Sequence, residues 1–123
     1  MTTHGKSSLT EDQAALRPRR AGELLSVLAD PTRRTILEML LDSPKPVVEL
    51  ARGLPVSRPA VSQHLKVLKA AGLVRDRQDA NRRIYTLDAA ALAPLMSYLD
   101  QFWATALHSY ARAASRRRES RKV

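Results

Sequence analysis

Between Ser57 and Val74 the chain reads SRPAVSQHLKVLKAAGLV, a stretch with no acidic residue. Ser62 and Gln63 carry short polar and amide groups of the kind that reach base edges in a major groove, where glutamine pairs with adenine through two hydrogen bonds. Arg58 has a fork that suits guanine or phosphate. Lys66 and Lys69 supply the charge that fixes a protein's register on a phosphate backbone. Ser57 has the character of a helix cap, Pro59 of a first-turn residue and Gly72 of a stop signal, so the segment reads as one helix. Val61, Leu65 and Leu68 fall at i, i+4 and i+7 and bury one side. Pro59, Ser62, Gln63, Lys66 and Lys69 occupy the other side. The free N–H groups at the helix start add a natural phosphate site.

Elements must hold this face in place. AGELLSVLAD sets Leu24, Leu25 and Leu28 at helical spacing. Asp30-Pro31 restarts a helix by the cap-then-proline pattern, with Ile36, Leu37, Leu40 and Leu41 as its apolar face. SPKPVVELARGLP predicts a short third helix opened by Pro46, with Val47, Leu50 and Ala51 inward and Gly53 closing it. Leu54 to Val56 then separate it from Ser57, which is helix-turn-helix spacing. Beyond Gly72 the period changes from 3.6 to 2. Leu73 to Arg75 and Arg83 to Leu87 predict two strands, joined by DRQDANRR, in which Asp79 and Asn81 tolerate a tight turn. This hairpin is placed as a wing would be, and Arg75, Arg77, Arg82 and Arg83 outnumber Asp76 and Asp79 on it.

A last helix follows Asp88, with Pro94 near its start. Leu92, Leu95, Met96, Leu99, Phe102, Trp103, Ala106, Leu107 and Tyr110 cover about 140° of its surface, wider than one core contact needs. Plain core packing is one reading of that stripe. A face shared between the chain's own core and a second subunit is the other, and it is favoured because a domain this small has little spare core. Residues 1–20 are expected to be a flexible arm, with Pro18 and clustered charge in LRPRR. Residues 114–123 are expected to be a disordered basic tail; from Arg112 onward six bases face one acid.

The 123 residues carry 21 Lys and Arg against 12 Asp and Glu, a net charge of +9. That balance favours polyanionic partners. With no cysteine, disulfides, thiolate metal sites and a Cys nucleophile are excluded. No signal peptide or membrane-length apolar run is visible, so a cytoplasmic protein without membrane contact is expected. Four isolated glycines make no phosphate loop. No Ser, His and acid assemble a nucleophilic set, and Ser62 and His64 point apart at i and i+2. His64, beside Ala60, Val67 and Ala71 on the wheel, reads as a packed residue. His4 carries no signal, and His108 lies too far from Asp100 to share a metal. Neither an enzyme, a cofactor nor a metal is expected.

Together ADPTRRTILEMLL, VVELARGLPVSRPAVSQHLKVLKAAGLV, NRRIYTLD and LDQFW resemble the ArsR/SmtB family of bacterial winged-helix repressors over residues 21–112. The resemblance implies a homodimer joined through its first and last helices, and a grip on DNA that a signal relieves. It places DNA-facing positions around Ser57, Arg58, Ser62, Gln63 and His64, with the wing arginines following the backbone. Metal-sensing members carry Cys-x-Cys where this chain reads VVELA, or an Asp-x-His with a distal His pair where it reads LDQFWATALH. The chain therefore resembles a cysteine-free branch, with room for an unknown small-molecule effector.

The resulting expectation is a mainly α fold with a small β-hairpin wing, a winged helix-turn-helix spanning residues 21–113. It would act as a homodimeric repressor on an inverted repeat in double-stranded DNA. Expected DNA contacts are Ser57, Arg58, Pro59, Ser62, Gln63, His64, Lys66, Arg77, Arg82 and Arg83. Expected dimer contacts are Leu24, Leu25, Leu28, Leu95, Leu99, Phe102, Trp103, Leu107 and Tyr110. The alternatives are a non-specific basic coat for nucleic acid and a winged-helix module used for protein contacts.

Overall fold

A computed structural model describes residues 11–122, with side chains described for residues 19–121. Five helices and three short strands follow one another as α1 (Glu11–Leu28), α2 (Pro31–Asp42), β1 (Lys45–Pro46), α3 (Val47–Arg52), α4 (Arg58–Ala70), β2 (Val74–Asp79), β3 (Arg82–Leu87) and α5 (Ala93–Lys122). A 3-10 turn, Ala89–Leu92, leads into α5. The strands form one antiparallel sheet in the order β1-β3-β2, and α1 packs along α5. The architecture is a mainly α winged helix-turn-helix.

The junction ADPTRR closes two helix ends at once. The Asp30 carboxylate accepts from the Thr32 and Arg33 amides at 2.8 and 3.1 Å, which caps α2. Arg33 Nε donates to the Val27 carbonyl at 2.7 Å, and Arg34 donates to Leu28 and Ala29 at 2.6 and 3.1 Å. The last carbonyls of α1, otherwise unpaired, thus receive cationic donors. Backbone N–H donation, led by Arg33, holds the Asp30 carboxyl below its ordinary value. Lys45 does the same service for α2, donating to the Met39 carbonyl at 3.1 Å and to Ser43 Oγ at 2.9 Å.

The core joins Leu24 of α1, Ile36, Leu37 and Leu40 of α2, Leu50 of α3, Val61, Leu65 and Leu68 of α4, Leu73, Val74 and Leu95. Burying each such side chain contributes about 1.5–3 kcal/mol. Leu41, expected on the inner face of α2, is 69% exposed, turned about 100° round the helix from the buried Leu40.

Both ends depart from expectation. Residues 11–20, expected as part of a flexible arm, begin α1, while residues 1–10 lie outside the described residues. Residues 114–122, expected as a disordered tail, continue α5. Extending a helix that already exists carries no nucleation cost, and Ala and Arg are strong helix formers whose positive charge suits a C-terminus. Charge clustering alone therefore does not mark the helical residues 11–20 and 114–122.

Candidate nucleic-acid interface

Helix α4 is closed tightly at both ends. Ser57 Oγ accepts from the Ala60 amide at 3.3 Å. At the other end Gly72, at φ +80°, lets its amide donate to the Lys69 carbonyl at 2.9 Å and the Leu73 amide to Leu68 at 3.0 Å. That is the paired hydrogen-bond pattern of a Schellman motif, with buried Leu68 and Leu73 as its apolar contact. Arg20 of α1 donates to the Ala71 carbonyl, tying the first helix to the end of α4. Val61, Leu65 and Leu68 are fully buried, so the opposite face is held outward. Arg58, Pro59, Ser62, Gln63 and Lys66 are exposed there.

His64 stands apart from that face. It is half-buried, and its Nδ1 lies 3.5 Å from an Arg33 guanidinium nitrogen at the seam with α2. Among the expected DNA contacts it is the least exposed.

The wing is longer than the sequence pattern indicated. Its strands pair from Val74↔Leu87 to Asp79↔Arg82, leaving Ala80 and Asn81 as a two-residue turn. Ala80 takes φ +55°, the left-handed value that such hairpin turns demand. The polar residues of DRQDANRR continue the ladder through backbone bonds, joined by polar side-chain bonds such as Arg83 to Asp76, so no apolar alternation marked them. Lys45 and Pro46 pair with Tyr85 and Ile84 as a third strand, which two residues could not announce. Arg77 and Arg82 are exposed near the tip.

Arg58 and Ser62 line one cleft of about 330 Å³ together with Asn81, Arg82 and Arg83 of the wing, floored by Pro46 and Val47. The start of α4 and the wing tip thus enclose a common basic recess, suited to a phosphate lying between groove and wing. Gln63, Lys66 and Arg77 lie outside this recess, Gln63 and Lys66 further over the exposed face of α4.

Asp76 is the residue that the sequence reading passed over. Its carboxylate, 7% exposed, accepts from Lys69 Nζ at 2.8 Å and from Arg83 at 2.9 Å. A base on α4 and a base on the wing are therefore held by one acid. The hydrogen bond from Lys69 leads in keeping this carboxyl below its ordinary value of 3.8. Lys69 and Arg83, expected as phosphate contacts or wing charge, are engaged within the chain. The available signal was an acid two residues after the buried Val74, on the same side of the strand, in a hairpin where bases outnumber acids.

Among the expected dimer contacts, Leu24 and Leu95 are buried in this chain's own core. Leu24 lies on the side of α1, and Leu95 on the side of α5, that face this core. Leu28 and Leu99 are half-buried against the same core. Leu25, Phe102, Trp103, Leu107 and Tyr110 are exposed, the last four by 56–73%. Phe102 meets Tyr98 and Trp103 with ring centroids 6.5 and 6.4 Å apart, so one aromatic patch faces outward.

No helix among the described residues is long and apolar enough to cross a membrane. The described residues hold no group of three His, Asp or Glu placed to bind a metal.

Residues 30–76 match the model of bacterial regulatory proteins of the arsR family. An HTH-type transcriptional regulator of Mycobacterium tuberculosis, Rv2034, is 62% identical over 84 residues, covering 68% of this chain and 78% of the relative. The transcriptional activator HlyU of Vibrio cholerae is 37% identical, covering 71% and 81%. An ArsR-like transcriptional regulator from Rhodococcus superposes with a TM-score of 0.65 at 30% identity, covering 76% of this chain and 89% of that one. The helix-turn-helix, the wing and the relatives agree: the chain belongs to the arsR family of bacterial regulatory proteins, a DNA-binding transcriptional regulator and not an enzyme.

Proposed function

We propose that this regulator is a homodimeric repressor that reads an inverted repeat, each subunit laying α4 in a major groove with its wing over the adjoining phosphates. The observation that carries the reading is the shared recess of Arg58, Ser62, Asn81, Arg82 and Arg83. It joins the outward polar face of α4 to the tip of the wing. In this reading Ser62 and Gln63 address base edges. Arg58 addresses guanine or phosphate, and Ser57, Pro59 and Lys66 flank the contact. Arg77 and Arg82 follow the backbone, Arg83 shapes the recess while bonded to Asp76, and His64 packs against α2.

Dimerisation would use the exposed stripe Phe102, Trp103, Leu107 and Tyr110 of α5, with Leu25 of α1 beside it. A patch of that kind on so small a domain favours a partner. Two reading helices related by a twofold axis address half-sites about one helical turn apart, roughly 34 Å. Repression is the reading taken because a relative of Mycobacterium tuberculosis, 45% identical over 76 residues, is named the transcriptional repressor SmtB. The chain spans 56% of that relative's length.

Fluorescence anisotropy against a duplex from the gene's own upstream region and a shuffled duplex, at about 150 mM salt, tests the reading. A specific regulator prefers its site by about 10³-fold or more. Arg58→Ala with Gln63→Ala should remove about 1–3 kcal/mol per lost base contact, read as a smaller preference for the upstream over the shuffled duplex. Unchanged preference in that double variant overturns the assignment of the reading helix. In vitro transcription from the bound promoter separates repressor from activator.

A further inference from the structure

We infer that the C-terminal end of α5 is a second, sequence-independent binding site for the phosphate backbone of duplex DNA, separate from the reading helix and wing. The inference rests on the chain's being a DNA-binding regulator. It does not rest on which residues of α4 read bases.

From Arg112 to Lys122 the chain holds six bases, five of them arginine, and the single acid Glu119. All of it lies on α5, and among the described residues none of these arginines has a carboxylate within ion-pair distance. Arg112, Arg116, Arg117, Arg118 and Arg121 are exposed, so this stretch receives little packing from its own chain. Arg112 and Arg116, and Arg117 and Arg121, stand four apart, where like charges repel along a helix. A helix that carries such repulsion without a buried face gains most from a neutralising partner.

The chemistry of the end selects phosphate. A solubilising face usually mixes acids with lysine, whereas guanidinium groups present a planar fork that grips phosphate oxygens through two bonds. Ala113 and Ala114 line a groove of about 280 Å³ with Arg117, Arg118 and Arg121, bounded by Tyr110 where the apolar stripe ends, the two alanines leaving room for a bulky anionic group beside the arginines. Arg117 and Arg121 also continue the line of Trp103 and Tyr110 along the helix. One face of α5 thus passes from apolar to basic. From Arg112 to Arg121 the rise is about 13 Å, a length over which duplex DNA presents about eight charges.

Arg116, Arg117, Arg118 and Arg121 changed together to Gln, a residue of similar helix propensity, remove the charge and keep the helix. Binding to the upstream and the shuffled duplex is then followed by anisotropy between about 50 and 300 mM salt. Each phosphate contact adds about 0.9 to the salt slope, so the variant should lose about 2–4 units of slope per subunit on both duplexes. Its preference for the upstream duplex should stay as in the wild type. The corresponding four Arg→Lys changes should keep most of the slope, and circular dichroism checks that the helix survives. An unchanged slope in the Gln variant overturns the inference. So does a loss confined to the upstream duplex, which would make the end part of sequence readout. If wild-type co-sedimentation with phosphatidylserine vesicles is lost in the variant while the DNA slope stays, the end serves a membrane surface and the inference fails. The proposed reading of α4 fails by a different sign: no preference between duplexes in the wild type.

Discussion

Asp76→Asn removes the one charge that holds Lys69 of α4 and Arg83 of the wing together. The carboxylate is 7% exposed and accepts at 2.8 and 2.9 Å. A hydrogen bond to a charged group contributes about 1.5–3 kcal/mol when well sheltered. Lys69 and Arg83 are each 55% exposed, so both keep much of their hydration and the contribution moves toward the ~1 kcal/mol or less of a surface pair. Asparagine keeps one acceptor oxygen but turns an amide donor toward the second base. The expected loss is about 1–2 kcal/mol for the cluster, read by urea unfolding at pH 7. The carboxyl is held below 3.8 in the folded chain, so its contribution is complete above the unfolded-state value and disappears as pH falls through the folded-state value. The gap between wild type and variant should therefore persist down to about pH 5 and narrow below about pH 4. The variant should also bind shuffled DNA more strongly at low salt, since two bases are released and one acid is lost. Equal stability at neutral pH, or a gap that does not narrow in acid, would refute the view that this charge cluster ties the wing to α4.

Gly72→Ala should cost about 1–2 kcal/mol in thermal unfolding, because φ is +80° while the added Cβ would meet only Arg20 at an ordinary 3.5 Å. Ala80→Gly should raise stability by about 0.5–1 kcal/mol, since the residue at φ +55° begins the two-residue wing turn; a loss of stability would mean that the alanine is not strained. Trp103 is the sole tryptophan and is 58% exposed in the single chain, so dimer formation should shift its emission to the blue as concentration rises. Phe102→Glu with Leu107→Glu should give a monomer by sedimentation velocity and abolish that shift. A dimer that survives the pair would move the interface away from this face of α5.

The reading helix was legible because its function and its burial write complementary patterns. Val61, Leu65 and Leu68 repeat at helical spacing, and an acid-free set of polar residues fills the remaining face. Capping chemistry marked its ends as clearly, with Ser57 before the proline and Gly72 where only a left-handed backbone closes the helix. The interior helices were legible for the same reason. The strand β1 was not, because two residues have no period, and the strand ends at the wing tip were not, because their pairing is carried by backbone groups that every residue shares.

Local pattern states which faces are apolar and leaves open what covers them. That is why Leu95 belongs to the chain's own core while Phe102 and Trp103, on the same broad stripe of α5, face outward. Asp76 shows the same division more sharply. Sequence alone determined a basic hairpin following a polar helix, and it counted Asp76 merely as one charge against several. Only the tertiary structure brought a residue seven positions away on the helix and another seven positions away across the turn to one carboxylate. Charge interactions depend on distance and shelter from water, and both are set by packing rather than by order along the chain.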